Sequence, residues 1–301
     1  MGEELLQRRL AMEGEQDAHH YRRASDAFRL EHLASAGPLI RAVLTLTGLR
    51  ARGRRNMADI RVRRNEVVLA SLPAAFDGFT LLHASDLHLD LSAAHASVLA
   101  QRVRGLACDA CVLTGDYRFA VSGPGGAALA ALRAFVPVLP APAYAVLGNH
   151  DGIALAPGLE ALGVRVLMNE NVALERGGER LHLAGIDDAH YFRTHDIARA
   201  AQGIPPDGCA ILLSHTPQPY REAEEGGFAL MLSGHTHGGQ ICLPGGIPIL
   251  TDCPAPRALA RGPWRHGGLA GYTSAGCGCS IVDARFHCPP EVTLHTLRRA
   301  R

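Results

Sequence analysis

The side chains best suited to chemistry are Asp, Asn and His residues that follow short apolar runs of the sequence. Five such clusters occur in chain order: Asp86-Leu87-His88, Gly115-Asp116, Asn149-His150-Asp151, His215 and His235-Thr236-His237. In an open α/β sheet, ligands bind outside the carboxyl ends of the strands. If the apolar runs are neighbouring parallel strands, the five clusters converge on one cleft.

The chemistry that these side chains favour is the binding of divalent metal ions. Carboxylate, amide and imidazole ligands without a thiolate are typical of Mn, Fe or Zn sites. The clusters hold seven candidate ligands, which is more than one catalytic ion needs, because such an ion keeps coordination positions open. Two ions that share one carboxylate would use all seven. Paired ions about 3.5–4 Å apart favour in-line displacement at phosphorus.

Ordinary packing is the alternative explanation, and it is weaker for the whole set than for any single motif. A lone Asp-x-His or Asn-His-Asp sequence is common in turns. Without a metal, however, five clusters at strand ends would bury many polar groups together, and each unpaired one costs about 1–3 kcal/mol. The joint pattern therefore favours a metal site.

The elements that must position these clusters follow an α/β pattern. Continuous apolar runs within 79–86, 110–116, 143–151, 180–188, 209–216 and 228–236 predict strands buried on both faces. The intervening segments 92–104, 126–136, 155–162, 194–202 and 217–225 predict helices. The segment 60–72 predicts two short strands around a polar turn at Arg64-Asn65.

Composition limits the class of protein. The chain has 301 residues, 47% of them hydrophobic, and a net charge of +1. These values exclude a disordered or fibrous protein, and they give no global field that would attract nucleic acid. No secretory signal stands out, and the apolar stretch from Pro38 to Leu49 is shorter than the roughly 20 residues of a bilayer span. We therefore expect a cytoplasmic protein with no specific nucleic-acid partner.

The first 57 residues, rich in Arg, Glu and Ala, predict an N-terminal helical arm of one or two helices. An apolar face is expected from five residues: Leu39, Ile40, Val43, Leu44 and Leu46. An arginine cluster from Arg50 to Arg64 follows it. Two interpretations stay open. The arm lies on an anionic membrane surface, as a peripheral contact at the inner membrane face, or it packs on the body and leaves the arginines in solvent.

The order of the five clusters resembles the calcineurin-like metallophosphoesterase superfamily. The resemblance covers roughly Phe79 to Arg298, and the run Gly-His-Thr-His-Gly-Gly-Gln from Gly234 is similar to a bacterial subgroup of predicted phosphohydrolases. It implies two packed mixed β-sheets flanked by helices, a four-layer sandwich that forms a metallophosphoesterase domain over residues 58–301. It also implies an enzyme that hydrolyses phosphoric ester or anhydride bonds.

The resemblance further implies a role for each matching residue. The two groups of metal ligands correspond to Asp86, His88 and His237 and to Asn149, His215 and His235, with Asp116 as the shared carboxylate. A hydroxide between the two ions would be the nucleophile, since a bound metal lowers the pKa of water toward ~7. His150 would protonate the leaving oxygen, and Asp151 would orient His150.

One position departs from the family pattern. The family commonly has an acidic residue or Asn shortly after the Gly-Asp pair, whereas this chain continues Tyr117-Arg118-Phe119. Arg118 is a candidate to contact a substrate phosphate through its planar guanidinium group. A surface salt bridge is the alternative role.

The predicted activity is hydrolysis of a phosphodiester or pyrophosphate bond in a small molecule or a lipid, including a nucleotide-sugar lipid. Enzymes related to the family cleave the pyrophosphate of UDP-2,3-diacylglucosamine. A nuclease or a cyclic-nucleotide phosphodiesterase on the same metal core is the alternative, although the sequence shows no long basic stripe with interleaved aromatic residues. A non-catalytic scaffold is disfavoured because all seven ligand positions and His150 are present.

Overall fold

The computed structural model of the chain describes residues 3–22, 33–121, 123, 125–140 and 142–300. Two six-stranded β-sheets pack face to face, and helices cover the outer face of each sheet. The predicted α/β sandwich of two mixed sheets flanked by helices is confirmed.

The first sheet carries three of the candidate clusters. Its strands, in spatial order, are β1 (Arg61–Leu69), β14 (Glu291–Arg299), β2 (Thr80–Ala84), β3 (Ala110–Leu113), β4 (Ala143–Ala145) and β5 (Val164–Val166). Strands β2 to β5 are parallel to one another, and β14 runs antiparallel to β2. The carboxyl ends of β2, β3 and β4 therefore meet at the same edge of the sheet.

The second sheet carries the other two clusters. Its strands, in spatial order, are β12 (Gly262–His266), β13 (Leu269–Thr273), β9 (Leu230–Ser233), β8 (Ala210–Leu213), β7 (Glu179–Gly185) and β6 (Glu170–Arg176). The four central strands are parallel, and the two outer strands pair antiparallel to them. A short hairpin lies outside both sheets and consists of β10 (Cys242–Leu243) and β11 (Ile247–Pro248).

The central strands β2, β3, β8 and β9 are almost entirely apolar because both of their faces are buried. In β2, Leu81 packs between the two sheets with residues such as Ile211 and Leu230, whereas Leu82 packs on the helical side with residues such as Leu99. Alternate residues of a strand point to opposite faces, so a strand covered on both sides loses the polar half of the alternation. This explains why the continuous apolar runs predicted the six strands β2, β3, β4, β7, β8 and β9.

The helices form the two outer layers. The first sheet is covered by α4 (Ala93–Val103), α5 (Gly126–Phe135) and α6 (Leu155–Ala161), and the second by α7 (Ile197–Ala200) and α8 (Tyr220–Glu225). Ser92 and Asp196 cap the N-termini of α4 and α7 by accepting a backbone N–H three residues later. All five helices fall within the segments predicted as helical.

The N-terminal region differs from its prediction. Its described residues form three helices, α1 (Glu3–Arg22), α2 (Leu33–Leu46) and α3 (Arg50–Ala58), rather than one or two. The five apolar residues of α2 do not form one buried face. Ile40 and Leu44 pack against the body near Val282, whereas the remaining three residues, Leu39, Val43 and Leu46, are exposed.

The segment 60–72 also differs from its prediction. It forms one nine-residue strand, β1, rather than two strands around a turn. Each of its residues pairs in parallel with β14, and Asn65 lies opposite His295. The partner strand is distant in sequence, and its ladder of hydrogen bonds overrides the local preference of Arg64-Asn65 for a turn.

No helix in the described part of the chain is long and apolar enough to cross a membrane.

A buried pair of imidazole rings in the first sheet leads to a prediction about acid stability. His83 Nε2 lies 2.9 Å from Thr114 Oγ1, and His83 Nδ1 lies 3.3 Å from His295 Nε2. Burial lowers the pKa of His83 to about 3. The unfolded chain therefore binds a proton near pH 6.5 that the folded chain rejects, so His83 stabilises the fold above about pH 6.5 and loses this contribution as the pH falls.

We expect the wild type to lose up to about 1.4 kcal/mol of unfolding free energy per pH unit more than His83→Gln between pH 6.5 and 4.5. Urea denaturation of the two metal-free proteins at each pH measures the difference. The difference between the two proteins isolates this pair of rings, because buried groups away from it contribute equally to both curves. Parallel curves would contradict the prediction.

Candidate metal centre

The carboxyl ends of strands from both sheets meet in one place. The loops after β2, β3 and β4 bring in Asp86 with His88, Asp116, and Asn149 with His150, and the loops after β8 and β9 bring in His215, His235 and His237. All seven candidate ligands are buried. The structure therefore brings the predicted set together at the junction between the sheets.

The first group of side chains consists of Asp86, His88 and His237. Their donor atoms all lie within 4.8 Å of one another. His237 Nε2 is 3.3 Å from His88 Nε2 and 3.4 Å from Asp86 Oδ1. Three donor atoms this close, one of them a carboxylate oxygen, are suitably placed to share one cation.

The second group consists of Asp116, His215 and His235, with Asn149 beside them. Asn149 Oδ1 lies 2.9 Å from both His215 Nε2 and His235 Nδ1. His215 Nε2 is 3.4 Å from Asp116 Oδ2. This group also offers several donor atoms to one cation.

Asp116 lies between the two groups. Its Oδ2 atom is 3.9 Å from His88 Nε2 on one side and 3.4 Å from His215 Nε2 on the other. A third ring, that of His150, places Nε2 at 3.7 Å from the same oxygen. One carboxylate is therefore within reach of both groups.

Backbone carbonyl groups fix the orientation of three imidazole rings. His88 Nδ1 lies 2.7 Å from the carbonyl oxygen of Arg118, His215 Nδ1 lies 2.7 Å from that of Thr114, and His235 Nε2 lies 2.6 Å from that of Asp252. The ring nitrogen that faces a carbonyl must carry the proton, so the other nitrogen presents a lone pair to the centre. This arrangement fits divalent cations.

The backbone at the centre is strained. Five candidate ligands have a positive φ, namely Asp86, His88, Asp116, His235 and His237. This conformation costs a residue other than glycine on the order of 1–3 kcal/mol, and such strain is concentrated at functional sites. The surrounding structure holds these five residues in place against that cost.

Two glycines allow the close approach of these loops. A Cβ atom on Gly148 would overlap the Asp116 carboxylate, and one on Gly234 would overlap Ser85 and Asp86. Because Gly234 has no side chain, the backbone N–H of His235 can reach both carboxylate oxygens of Asp86 at 3.1 Å. Gly148 in the same way leaves room for the Asp116 carboxylate, which accepts the backbone N–H of His150 at 2.9 Å.

The pKa shifts at the centre indicate that its buried carboxylates need a positive charge nearby. Burial raises the pKa of Asp86 to about 6, although the charge of His215 opposes the shift. Burial also opposes ionisation of Asp116, but the charges of His150 and His215 outweigh it and hold the pKa of Asp116 well below its usual value. Burial disfavours the charged form of His215 too, yet Asp116 raises the pKa of His215 to about 10. A proton on His215 thus supplies charge that a divalent cation would replace.

The ring of His150 faces the centre, but Asp151 does not hold it as predicted. The Asp151 carboxylate accepts the backbone N–H groups of Asp116, Tyr117 and Gly148 at 2.7–2.9 Å. His150 Nδ1 instead lies 2.7 Å from the carbonyl oxygen of Phe119. Asp151 therefore orients the strained Asp116 turn, and a backbone carbonyl orients His150.

Arg118 is buried rather than in a surface salt bridge. Its Nη1 donates to the carbonyl oxygen of Gly123 at 2.7 Å, and its own carbonyl oxygen holds His88. Its Nε is buried and has no hydrogen-bond partner among the described residues. Arg118 lies beside the ligand loop, and its contact with substrate stays a prediction.

Two residues near the centre were not predicted. Arg285 is fully buried, its Nη2 lies 3.1 Å from His237 Nδ1, and its guanidinium group donates to the carbonyl oxygen of Gly278. The ring of His190 lies 4.3 Å from that of His235. Because the chain is rich in arginine, the residue type alone gave no sign that Arg285 lies at the centre. His190, in contrast, follows the apolar run 180–188, and this run ends in polar residues as the other five apolar runs do.

The comparison with protein families places these observations in context. The family model for calcineurin-like phosphoesterases matches residues 79–239, the part of the chain that contains all seven candidate ligands. The chain belongs to this family. Its members hydrolyse phosphoesters, so the chain is a hydrolase that acts on phosphoric ester bonds.

Curated relatives in the family are similar over most of the chain. An uncharacterized metallophosphoesterase of Bacillus subtilis, YkoQ, is 29% identical over 266 residues, which cover 85% of this chain and 97% of that protein. A zebrafish (Danio rerio) transmembrane protein with a metallophosphoesterase domain is 30% identical over 72% of this chain and 52% of that protein. The phosphodiesterase YaeI of Escherichia coli is 27% identical over 51% of this chain and 57% of that protein.

Proposed function

We propose that this protein uses two divalent metal ions to hydrolyse a phosphodiester or pyrophosphate bond. The observation that carries the proposal is the position of Asp116, whose carboxylate lies within 4 Å of an imidazole in each of the two donor groups. The name of the E. coli relative, a phosphodiesterase, supports a diester as the bond that is cleaved.

In this proposal the two donor groups hold one ion each. Asp86, His88 and His237 would hold the first, Asn149, His215 and His235 would hold the second, and Asp116 would contact both. The oxygen and nitrogen donors suit Mn, Zn or Fe. When bound, the two ions would lower the pKa of a water molecule and neutralise charge on the phosphoryl oxygens.

His150 is the proposed general acid, and its ring is held for that task. Its side chain is 11% exposed, and its Nε2 lies 3.7 Å from Asp116 Oδ2. The carbonyl of Phe119 fixes a proton on Nδ1, so Nε2 is the nitrogen that would pass a proton to the leaving oxygen. Asp151 contributes indirectly, through the backbone of Asp116 and Tyr117. Arg118 stays the proposed contact for a substrate phosphate.

Apolar side chains of α2 and of the β10–β11 hairpin are exposed, and we call them the exposed apolar surface. This surface suggests that the substrate is a lipid at the inner membrane face. Leu46 of α2 is 87% exposed, and on the β10–β11 hairpin Leu243 lies opposite Ile247, which is 59% exposed. The opposite face of the hairpin contacts the ligand loop, since a Cβ atom on Gly239 would overlap Pro248.

The charge around this surface supports the same proposal. Residues 37–58 contain five arginines and no acidic residue, and the hairpin region 239–251 has no acidic residue. Apolar side chains next to a basic surface are typical of proteins that bind anionic lipid. The name of the zebrafish relative, a transmembrane protein, agrees with a membrane context.

The first test is the replacement Asp116→Asn. We expect it to abolish turnover of an aryl phosphodiester and to lower the metal content below one ion per chain, because both donor groups lose the same carboxylate. Metal analysis of purified protein and turnover with added Mn, Zn or Fe measure both effects. Asp207→Asn, an exposed position, is the matched control. Two retained ions would contradict the shared role.

The second test separates proton transfer from metal binding. We expect His150→Ala to keep the metals and to lower turnover about 100-fold for esters with an alkyl leaving group, because a poor leaving group needs a proton. Turnover of a p-nitrophenyl ester should fall far less. An equal loss with both leaving groups would exclude His150 as the acid.

The third test concerns the membrane. We expect Leu46→Gln to weaken sedimentation with phosphatidylglycerol vesicles about tenfold, since burying one leucine is worth about 1.5–3 kcal/mol. Turnover of a soluble aryl diester should not change. Leu10→Gln, at an exposed leucine of α1 outside this surface, is the matched control. Equal vesicle binding by all three proteins would contradict the membrane proposal.

A further inference from the structure

Helix α1 inserts a fully buried arginine between two loops that border the metal centre. The side chain of Arg9 has no exposed surface, and its guanidinium carbon lies 3.2 Å from the centre of the Phe192 ring. Its Nη2 donates to the carbonyl oxygen of Asp151 at 2.8 Å, and its Nε lies 3.4 Å from a carboxylate oxygen of Asp187. Arg9 thus contacts the loop after β4 and the loop after β7 at the same time.

Glu13, one helical turn later, contacts the same loop after β4. The Glu13 carboxylate accepts the backbone N–H of Ile153 at 2.7 Å and lies 3.4 Å from Arg9 Nε. Residues four apart on a helix lie on one face, so the two side chains form a single surface. This surface binds a backbone carbonyl and a backbone N–H on either side of Gly152.

The segment held in this way carries the proposed acid. Asp151 follows His150 directly, and its carboxylate is fixed from the inside by the backbone of Asp116 and Gly148. Arg9 and Glu13 fix the same segment from the outside. The loop after β7, which Arg9 also contacts, carries His190 against the ring of His235. Helix α1 therefore connects loops from the two sheets on either side of the centre.

We propose that Arg9 and Glu13 are positioning residues that set the distance between His150 and the leaving group. The inference rests on the proposed function, because it assigns His150 the role of acid. A general acid must lie within hydrogen-bond reach of the leaving oxygen. A displacement on the order of 1 Å is enough to reduce turnover about 100-fold.

The test compares Glu13→Ala, Glu13→Gln and the control Glu4→Ala, an exposed carboxylate on the same helix. We expect Glu13→Ala to lower kcat about tenfold or more for alkyl leaving groups and much less for p-nitrophenol, with KM and metal content unchanged. Glu13→Gln should restore most of the loss, because its amide oxygen can still accept the N–H of Ile153. Glu4→Ala should behave as the wild type.

A second measurement does not depend on activity. We expect hydrogen exchange in the metal-free protein to become faster at residues 149–153 in Glu13→Ala, and at residues 187–194 as well in Arg9→Lys, which cannot cover the Phe192 ring in the same way. Exchange in the two sheets should not change. Arg9→Lys keeps the positive charge, and both variants leave the buried side chain of Leu5 in place, so the fold is expected to survive.

Equal losses on both leaving groups, or unchanged exchange at residues 149–153, would overturn the positioning role. Failure of the proposed function is distinguishable: the wild type would then hydrolyse no phosphoester with any of the three metals. The exchange measurement would still show whether α1 holds the loop.

Discussion

The position of the Asp116 carboxylate is the constraint on which the structure depends. Its oxygen lies near His88, His150 and His215, and it is buried among other carboxylates. A buried charge is costly unless an opposite charge accompanies it. In the metal-free protein the proton on His215 supplies that charge, and in the proposed function two divalent cations would replace it. The sandwich fold brings this carboxylate between donor groups from both sheets.

Part of the free-energy cost of this arrangement is backbone strain. Asp86, Asp116 and His235 all have a positive φ, which an ordinary loop would avoid. Three features hold them there: the parallel strands that end beside them, the three backbone N–H groups that Asp151 accepts, and the space left by Gly148 and Gly234. The strain thus lies where the ligands must face inward, and the rest of the fold is regular.

The sequence predicted six strands, β2, β3, β4, β7, β8 and β9, and it pointed to the candidate ligands at their ends, because both follow from local patterns. A strand buried on both faces is a continuous apolar run, and the polar residue that ends it lies at the edge where ligands bind. The role of Asp151 could not be predicted, because a carboxylate next to a histidine in sequence says nothing about which backbone N–H groups it accepts. The prediction of two short strands over residues 60–72 was wrong for a similar reason: the partner of β1 is β14, which lies at the other end of the chain. The contacts of Arg9 and Arg285 are also long-range, and an arginine in an arginine-rich chain gives no local sign of them.

The central claim is that two ions share Asp116, and anomalous diffraction from crystals grown with Mn tests it most directly. The account predicts two anomalous peaks about 3.5–4 Å apart, as in other paired-ion sites, with an oxygen of Asp116 in contact with both. A single peak, or two peaks of which only one contacts Asp116, would contradict it.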